Sequence, residues 1–378
     1  MSSNVLTTHA GSLPRPASLD ALWARHSRGE QVDASELEAD VEAATAAIVA
    51  KQIEIGLDII NDGEQGRESF FTFVRDRFGG FGGRGDRRNF SDMFAFPSYL
   101  ALKRAQFTNP ESVSLGRLPA VVGPLVWKGD EATRVELSRF GALANAGGAK
   151  GTFVTAPSPG IVATGFTNRH YGSMSEYVSA IGDGLANDYR AVIAAGHELQ
   201  IDAPDLAMER HTFFAGQPLD AFLEFARMVV DAINISTTGL PPERIRLHVC
   251  WGNYDGPHCF DVPFEDIAPV LLEANVGSLV ISLANPRHSH EVALLRDLPH
   301  NVSVVAGVID TTTNYVEHPR VVAERIERVV EMVGDAARVR AGTDCGFATA
   351  AGMKDVADEV VWLKLASLVE GARLANGT

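Results

Sequence analysis

Cysteine is scarce in this chain of 378 residues: there are three, an odd number spread over a long sequence. That excludes a disulfide framework, fits a reducing cytoplasm and makes the position of each thiol informative. Bases are also short, with 33 Lys and Arg against 48 Asp and Glu and a net charge of −15. Phosphate binding draws on Lys and Arg, so nucleic acid is not an expected partner. The one cationic cluster, Arg84 to Arg88, contains Asp86 and reads as a solvated loop. No apolar run approaches the roughly 20 residues that span a bilayer. The start, MSSNVLTTHAGSLPRP, lacks the basic and apolar regions of a secretory signal. Fixed-period repeats, low-complexity tracts and Pro/Ser-rich linkers are missing too.

What is present is a large apolar fraction, 46%, and a mean hydropathy of +0.01, which exclude a mainly disordered chain. At about 150 residues per domain the length suggests two or three domains, yet single α/β barrels reach this size. Short apolar runs alternate with long amphipathic stretches, the signature of βα units. Eight runs qualify as barrel strands: Asn4–His9, Leu57–Asn61, Gly151–Thr155, Glu198–Asp202, Ile245–Cys250, Ser278–Leu283, Ser303–Ile309 and Arg338–Gly342. Helical patterns lie between them, among them Ser35–Gln52, Met174–Ala195, Leu219–Asn234 and Pro319–Val333. The expected fold is α/β, a (β/α)8 TIM barrel forming one domain over residues 1–378, with a doubly wound open sheet as the alternative. A segment at about residues 65–150, holding the strand-like run Pro119–Val126, reads as an insertion after the second strand. Within it, Gly80 to Gly85 matches GxGxxG by letter. It follows an aromatic stretch, Phe70–Phe78, that reads as helical rather than as a strand, and no acidic residue lies at the expected offset, so a mobile glycine loop that could serve as a lid is expected instead of a dinucleotide site.

In a barrel, chemistry gathers where strands pass into their following loops. His248 and Cys250 are two apart on the fifth strand, so both side chains point to one face. Cys345 comes from the end of the strand that closes the barrel. A histidine and two thiolates suit Zn²⁺ and leave a coordination place for substrate; two buried cysteines and a core histidine are the plainer reading. Cys259, His288 and His290 are candidates for a supplementary ligand. Glu64, Asp202 and Asp62 end the second and fourth strands, where they could bind a substrate ammonium or position a proton, or simply cap the next helix.

These motifs, in order TTHAGSLPRP, DIINDGEQGR, LQIDAPDLAMER, HVCWGNYDGPH, ANPRHSHE, GVIDTTTNYVEHP and GTDCGF, resemble the cobalamin-independent methionine synthase family over nearly the whole chain. The family lies in the superfamily that also holds uroporphyrinogen decarboxylase. The resemblance implies a catalytic zinc at the top of a (β/α)8 barrel, held by His248, Cys250 and Cys345, that delivers homocysteine as a thiolate to a methyl donor. It implies that Glu64 and Asp202 hold the substrate's amino group and that the loop at Gly11 and Ser12 holds its carboxylate. Three departures stand out. Full-length members carry a further N-terminal barrel that helps bind polyglutamated folate, whereas this chain reads as the catalytic barrel. Ser282 falls where the family has a glutamate ligand, and Asp310-Thr311-Thr312 falls where it has a histidine. A related zinc enzyme, the epoxyalkane:coenzyme M transferase, resembles a three-ligand site of this kind.

The function expected from the sequence is therefore zinc-dependent methyl transfer to the sulfur of a small homocysteine-like thiol. The same chemistry on an epoxide, a metal-free decarboxylase-like relative and a zinc-storing or thiol-binding protein are the alternatives. The expected partners are a thiol and a methyl or alkyl donor, with neither nucleic acid nor membrane; homo-oligomerisation is left open.

Overall fold

The computed structural model describes residues 4–85, 91–107, 112–113 and 118–377. Eight parallel strands form the central sheet: β1 Leu6–Thr7, β2 Ile59–Ile60, β3 Gly151–Pro157, β4 Glu198–Asp202, β5 Ile245–Val249, β6 Ser278–Ser282, β7 Ser303–Ile309 and β8 Val339–Thr343. Their order is β1-β8-β7-β6-β5-β4-β3-β2. Strands this uniformly apolar, with β5 and β6 buried at every position, need cover on both faces. Barrel closure and an outer ring of helices supply it. Most crossovers are α-helices, including Ala34–Ile55, Met174–Ala194, Leu219–Ser236 and Pro319–Val333. The crossover between β6 and β7 is the 3₁₀ run Ser289–Asp297.

β1 and β2, the two ends of that order, carry no ladder between them, and side chains close the seam. Asp58 Oδ2 accepts both the backbone N–H and the hydroxyl of Thr7 at 2.8 Å, while Asp58 N donates back to Thr7 Oγ1 at 3.1 Å. Deeper in, Gln52 reaches from its helix into the same seam. Its Oε1 accepts Asn61 N (3.1 Å) and meets His9 Nε2 (2.8 Å), and its Nε2 donates to the Asn61 carbonyl (2.7 Å). The short β1 and β2 thus have their buried polar groups paired without a ladder.

Between β2 and β3 the chain forms the antiparallel pair Phe78–Gly82 and Ala120–Trp127, and Thr167–Asn168 joins the latter in parallel. This corrects two expectations. The Phe70–Phe78 stretch is helical only at Val74–Arg77, with turn over the four residues before it and strand at Phe78. The first half of the glycine motif, Gly80 to Gly82, is strand rather than loop, because Val121 and Ala120 across the sheet supply the ladder that local propensity withholds. The cationic cluster falls outside the described residues apart from an exposed Arg84. Among the described residues no helix is long and apolar enough to cross a membrane.

If the seam depends on Asp58, Asp58→Ala will lower the unfolding free energy by about 2 kcal/mol. Lys150→Ala, which removes only the exposed partner of the same carboxylate (2.6 Å), will cost under about 0.5 kcal/mol. Urea denaturation checks both, and equal effects would show that the seam is not what Asp58 holds.

Candidate metal centre

The ends of β5 and β8 bring His248, Cys250 and Cys345 together. One donor atom from each lies within 4.8 Å of the others, and all three residues are buried. Donors sharing one tetrahedral zinc at about 2.0–2.3 Å would sit about 3.3–3.8 Å apart, so the trio needs only a small contraction. Imidazole plus two thiols is also the soft donor set that zinc takes. Asp202 and His248 are neighbours in the β4–β5 register, and Asp202 Oδ1 faces His248 Nδ1 at 3.0 Å. That pairing leaves Nε2, whose other neighbour is the Asp344 carbonyl at 3.3 Å, as the nitrogen that would ligate, the usual carboxylate–histidine arrangement behind a metal. Gln200, two residues before Asp202 and on the same face, donates to the same carboxylate oxygen at 2.8 Å.

Burial works against a charged His248. Even so, the bond to Asp202 and the neighbouring Cys250 sulfur raise its pKa to about 10. Cys345 donates its S–H to Cys250 and so, with His248, holds Cys250 well below the ordinary thiol range; the Cys345 thiol is pushed up correspondingly.

Asp344 builds the floor of this arrangement. Its Oδ1 accepts the N–H of Leu283 and Ala284 (both 2.9 Å), and its Oδ2 that of Asn285 (2.7 Å). Its carbonyl accepts the Ser282 hydroxyl at 2.8 Å. Burial pushes this carboxyl up to about 7 against the pull of those three donors. Gly307 on β7 makes room, since a Cβ there would sit 2.3 Å from Asp344 Oδ1. Ser282 stands at the end of β6, beside Cys345 and tied to Asp344. Among the described residues no fourth metal-type donor joins the trio.

The turn after β2 presents Glu64, close enough to Asp202 to feel its charge. Successive Asx bonds, Gly63 N to Asn61 Oδ1 (2.8 Å) and Glu64 N to Asp62 Oδ1 (3.0 Å), shape it. They hold Glu64 at φ 58°, a left-handed conformation that side chains rarely adopt. Its Oε1 accepts the Thr155 hydroxyl at 3.0 Å, while Oε2 is buried without a partner. Burial first, then the charge of Asp202, raises the Glu64 carboxyl to about 7. Gly11, at φ 135°, passes directly over it: a Cβ there would lie 2.7 Å from Glu64 Oε1. Ser12 accepts the Ala348 N–H at 3.3 Å, so its hydroxyl packs against the loop that follows Cys345. Arg15 is spent on the backbone carbonyls of Ala348 and Glu64, at 2.8 Å each.

The expected supplementary ligands fall elsewhere. His290 is exposed, Cys259 is half-buried outside the cluster, and His288 has both ring nitrogens engaged, on Asp261 and Glu291 at 2.8 Å. Reading the sequence missed this second network. Asp261 Oδ2 faces His258 Nδ1 (2.8 Å) as well as His288, and the His288 ring stacks on Trp251 at 3.7 Å. These loop residues follow no periodicity that could have flagged them. Gln200 and Thr155 could have been flagged, because each shares a strand face with the residues at the barrel mouth.

Fold and site together define a (β/α)8 barrel with a His–Cys–Cys centre at the carboxyl ends of its strands. No model of a known protein family matches the chain. Among curated proteins it is 28% identical to a 2-hydroxypropyl-CoM lyase of Xanthobacter autotrophicus, over 98% of this chain and 94% of that protein. It is 24% identical to a methionine synthase of Thermococcus kodakarensis, over 98% of this chain and 93% of that one. Among solved structures, a B12-independent methionine synthase from Shewanella sp. W3-18-1, in complex with selenomethionine, superposes with a TM-score of 0.74 at 20% identity, covering 99% of this chain and 98% of that one. Over nearly its whole length the chain is thus similar to proteins named methionine synthase and 2-hydroxypropyl-CoM lyase, and it shares the fold of a B12-independent methionine synthase.

The protein is expected to take up about one zinc per chain, and Cys250→Ser/Cys345→Ser to take up none, by mass-spectrometric metal analysis. Asp202→Asn will weaken binding about 10- to 100-fold. Because His248 carries a proton up to about pH 10 and a ligand must be deprotonated, metal uptake releases protons and tightens as pH rises. Calorimetry in buffers of different ionisation enthalpy reads that release, and an affinity flat from about pH 6.5 to 8.5 would count against it.

Proposed function

We propose that the chain transfers a methyl group to the sulfur of a small homocysteine-like aminothiol in a reducing cytoplasm, with a zinc ion held by His248, Cys250 and Cys345. When bound, the zinc would supply a Lewis acid that keeps the substrate thiol deprotonated at neutral pH. The observation that carries this reading is the pairing of that donor set with Glu64 Oε2, a buried carboxylate oxygen without a partner.

Asp202 does two things in this reading: it orients His248 through Nδ1 and adds negative charge beside Glu64. Together the two carboxylates form a cation site, and a substrate ammonium there would pair the orphaned oxygen. Gly11 leaves the room above Glu64 that the substrate backbone needs, with Ser12 alongside at the wall for its carboxylate. Relatives named methionine synthase support methyl transfer to sulfur. The 2-hydroxypropyl-CoM lyase relative, together with a serine at the end of β6, favours a second reading in which the electrophile is not a methyl group. A thiol bearing a sulfonate fits Glu64 and Asp202 poorly, because like charges repel.

Mass spectrometry of thiol products across a thiol and donor panel tests this. Aminothiols are expected to be methylated at least about tenfold faster than 2-mercaptoethanesulfonate. Because an ammonium binds the ionised form of Glu64, KM for the aminothiol will fall as pH rises through about 7. Glu64→Gln will raise KM and flatten that dependence. Binding of thiols without alkylation by any donor would make the protein a thiol-binding protein instead.

A further inference from the structure

Gln200 is the middle residue of β4, and its side chain is fully buried. Its amide nitrogen has two hydrogens, and both are used. One goes to Asp202 Oδ1 at 2.8 Å, the other to the backbone carbonyl of Ala10 at 2.7 Å. Ala10 immediately precedes Gly11 and Ser12 in the loop after β1. Its own N–H donates to Thr343 Oγ1 at 3.1 Å, and that hydroxyl donates to the Cys345 carbonyl at 2.8 Å. A buried chain of bonds therefore runs from His248 through Asp202, Gln200, Ala10 and Thr343 to Cys345. Gln200 is the link that joins the loop to the carboxylate behind His248.

The choice of glutamine is informative. Its Oε1 is buried without a partner, and an unpaired buried oxygen is costly. A methionine of similar volume would avoid that cost, but it would supply neither bond. A lysine could make both bonds, and its charge would then cancel that of Asp202. What remains is a neutral group with two donors on one atom, set between two oxygens that cannot donate. We propose that Gln200 is a positioning residue that couples metal binding to the seating of the substrate's amino-acid end. The proposal rests on the sulfur-methylation reading above. With a metal on Nε2 the His248 ring is held in place, and the ring sets the plane of the Asp202 carboxylate. Gln200 passes that placement to Ala10. Gly11 and Ser12, the wall for the substrate's carboxylate in that reading, are set with it. Two ligands that order the same tie bind cooperatively, and the coupling is reciprocal.

L-2-Aminobutyrate has the backbone of homocysteine but no sulfur, so it reads this coupling apart from any bond between thiol and metal. Its affinity is measured by calorimetry on metal-free and zinc-loaded protein. Zinc is expected to tighten it at least about fivefold in the wild type, and 2-aminobutyrate to tighten zinc by the same factor. In Gln200→Met that factor falls below about twofold, and zinc binds about tenfold more weakly. Gln200→Asn, which keeps the amide but is too short to span both acceptors, is expected to lose the coupling in the same way. It decides the matter if the methionine variant does not fold. An unchanged factor in the variants, whatever their stability, means that the residue only supports the fold and overturns the proposal. Equal affinity with and without zinc, or no binding to the zinc-loaded wild type, overturns it without any variant. If homocysteine is still bound and methylated in that case, the methylation reading stands. If homocysteine is not bound either, both fall.

Discussion

The carboxylate of Asp344 is the tie on which the centre depends. Through three backbone N–H groups it fixes the start of the loop after β6, and through its carbonyl it holds Ser282. The next residue in the chain is Cys345. One buried side chain therefore joins the last barrel strand to the sixth at the point where the second thiol must meet His248 and Cys250. The close approach also explains Gly307, where any side chain would collide with the carboxylate. A donor trio drawn from separate strand ends keeps its spacing only if the loops between them are fastened in this way.

The charges around the mouth are divided by a simple rule. Nearby cations are spent on fixed partners. Arg15 serves two backbone carbonyls, and Arg67 serves the Thr155 carbonyl and Glu136. Of the carboxylates at the mouth, Asp202 is engaged by His248 and Gln200, while Glu64 keeps Oε2 without a partner. Burial and the charge of Asp202 together raise the Glu64 carboxyl. Behind the centre, Asp261 joins His258 and His288. The stack of His288 on Trp251, the residue after Cys250, buttresses the metal strand from outside.

Much of the fold was legible because a parallel barrel strand is buried on both faces and so reads as an unbroken apolar run. β4 and β7 match the sequence bounds, and the other six differ from them by only a few residues. The helix Pro319–Val333 was legible from its 3.6-residue rhythm. The glycine-rich strand was not, since its ladder comes from a partner some forty residues away. Nor was the nature of the seam, because β1 and β2 are two residues each and owe their place to Asp58 and Gln52.

For the site, the sequence by itself determined the donor chemistry: a histidine and a cysteine two apart on one strand, and a further cysteine after the last. Spacing along a strand sets which face a side chain takes, and that survives folding unchanged. Only the tertiary structure decided which oxygens are left without partners. Glu64 Oε2 is an orphan while both nitrogens of His288 are used, and nothing in the residues' identity separates the two. Satisfaction of a buried polar group depends on loops that meet across the barrel mouth, so it belongs to the fold and not to any local stretch of chain.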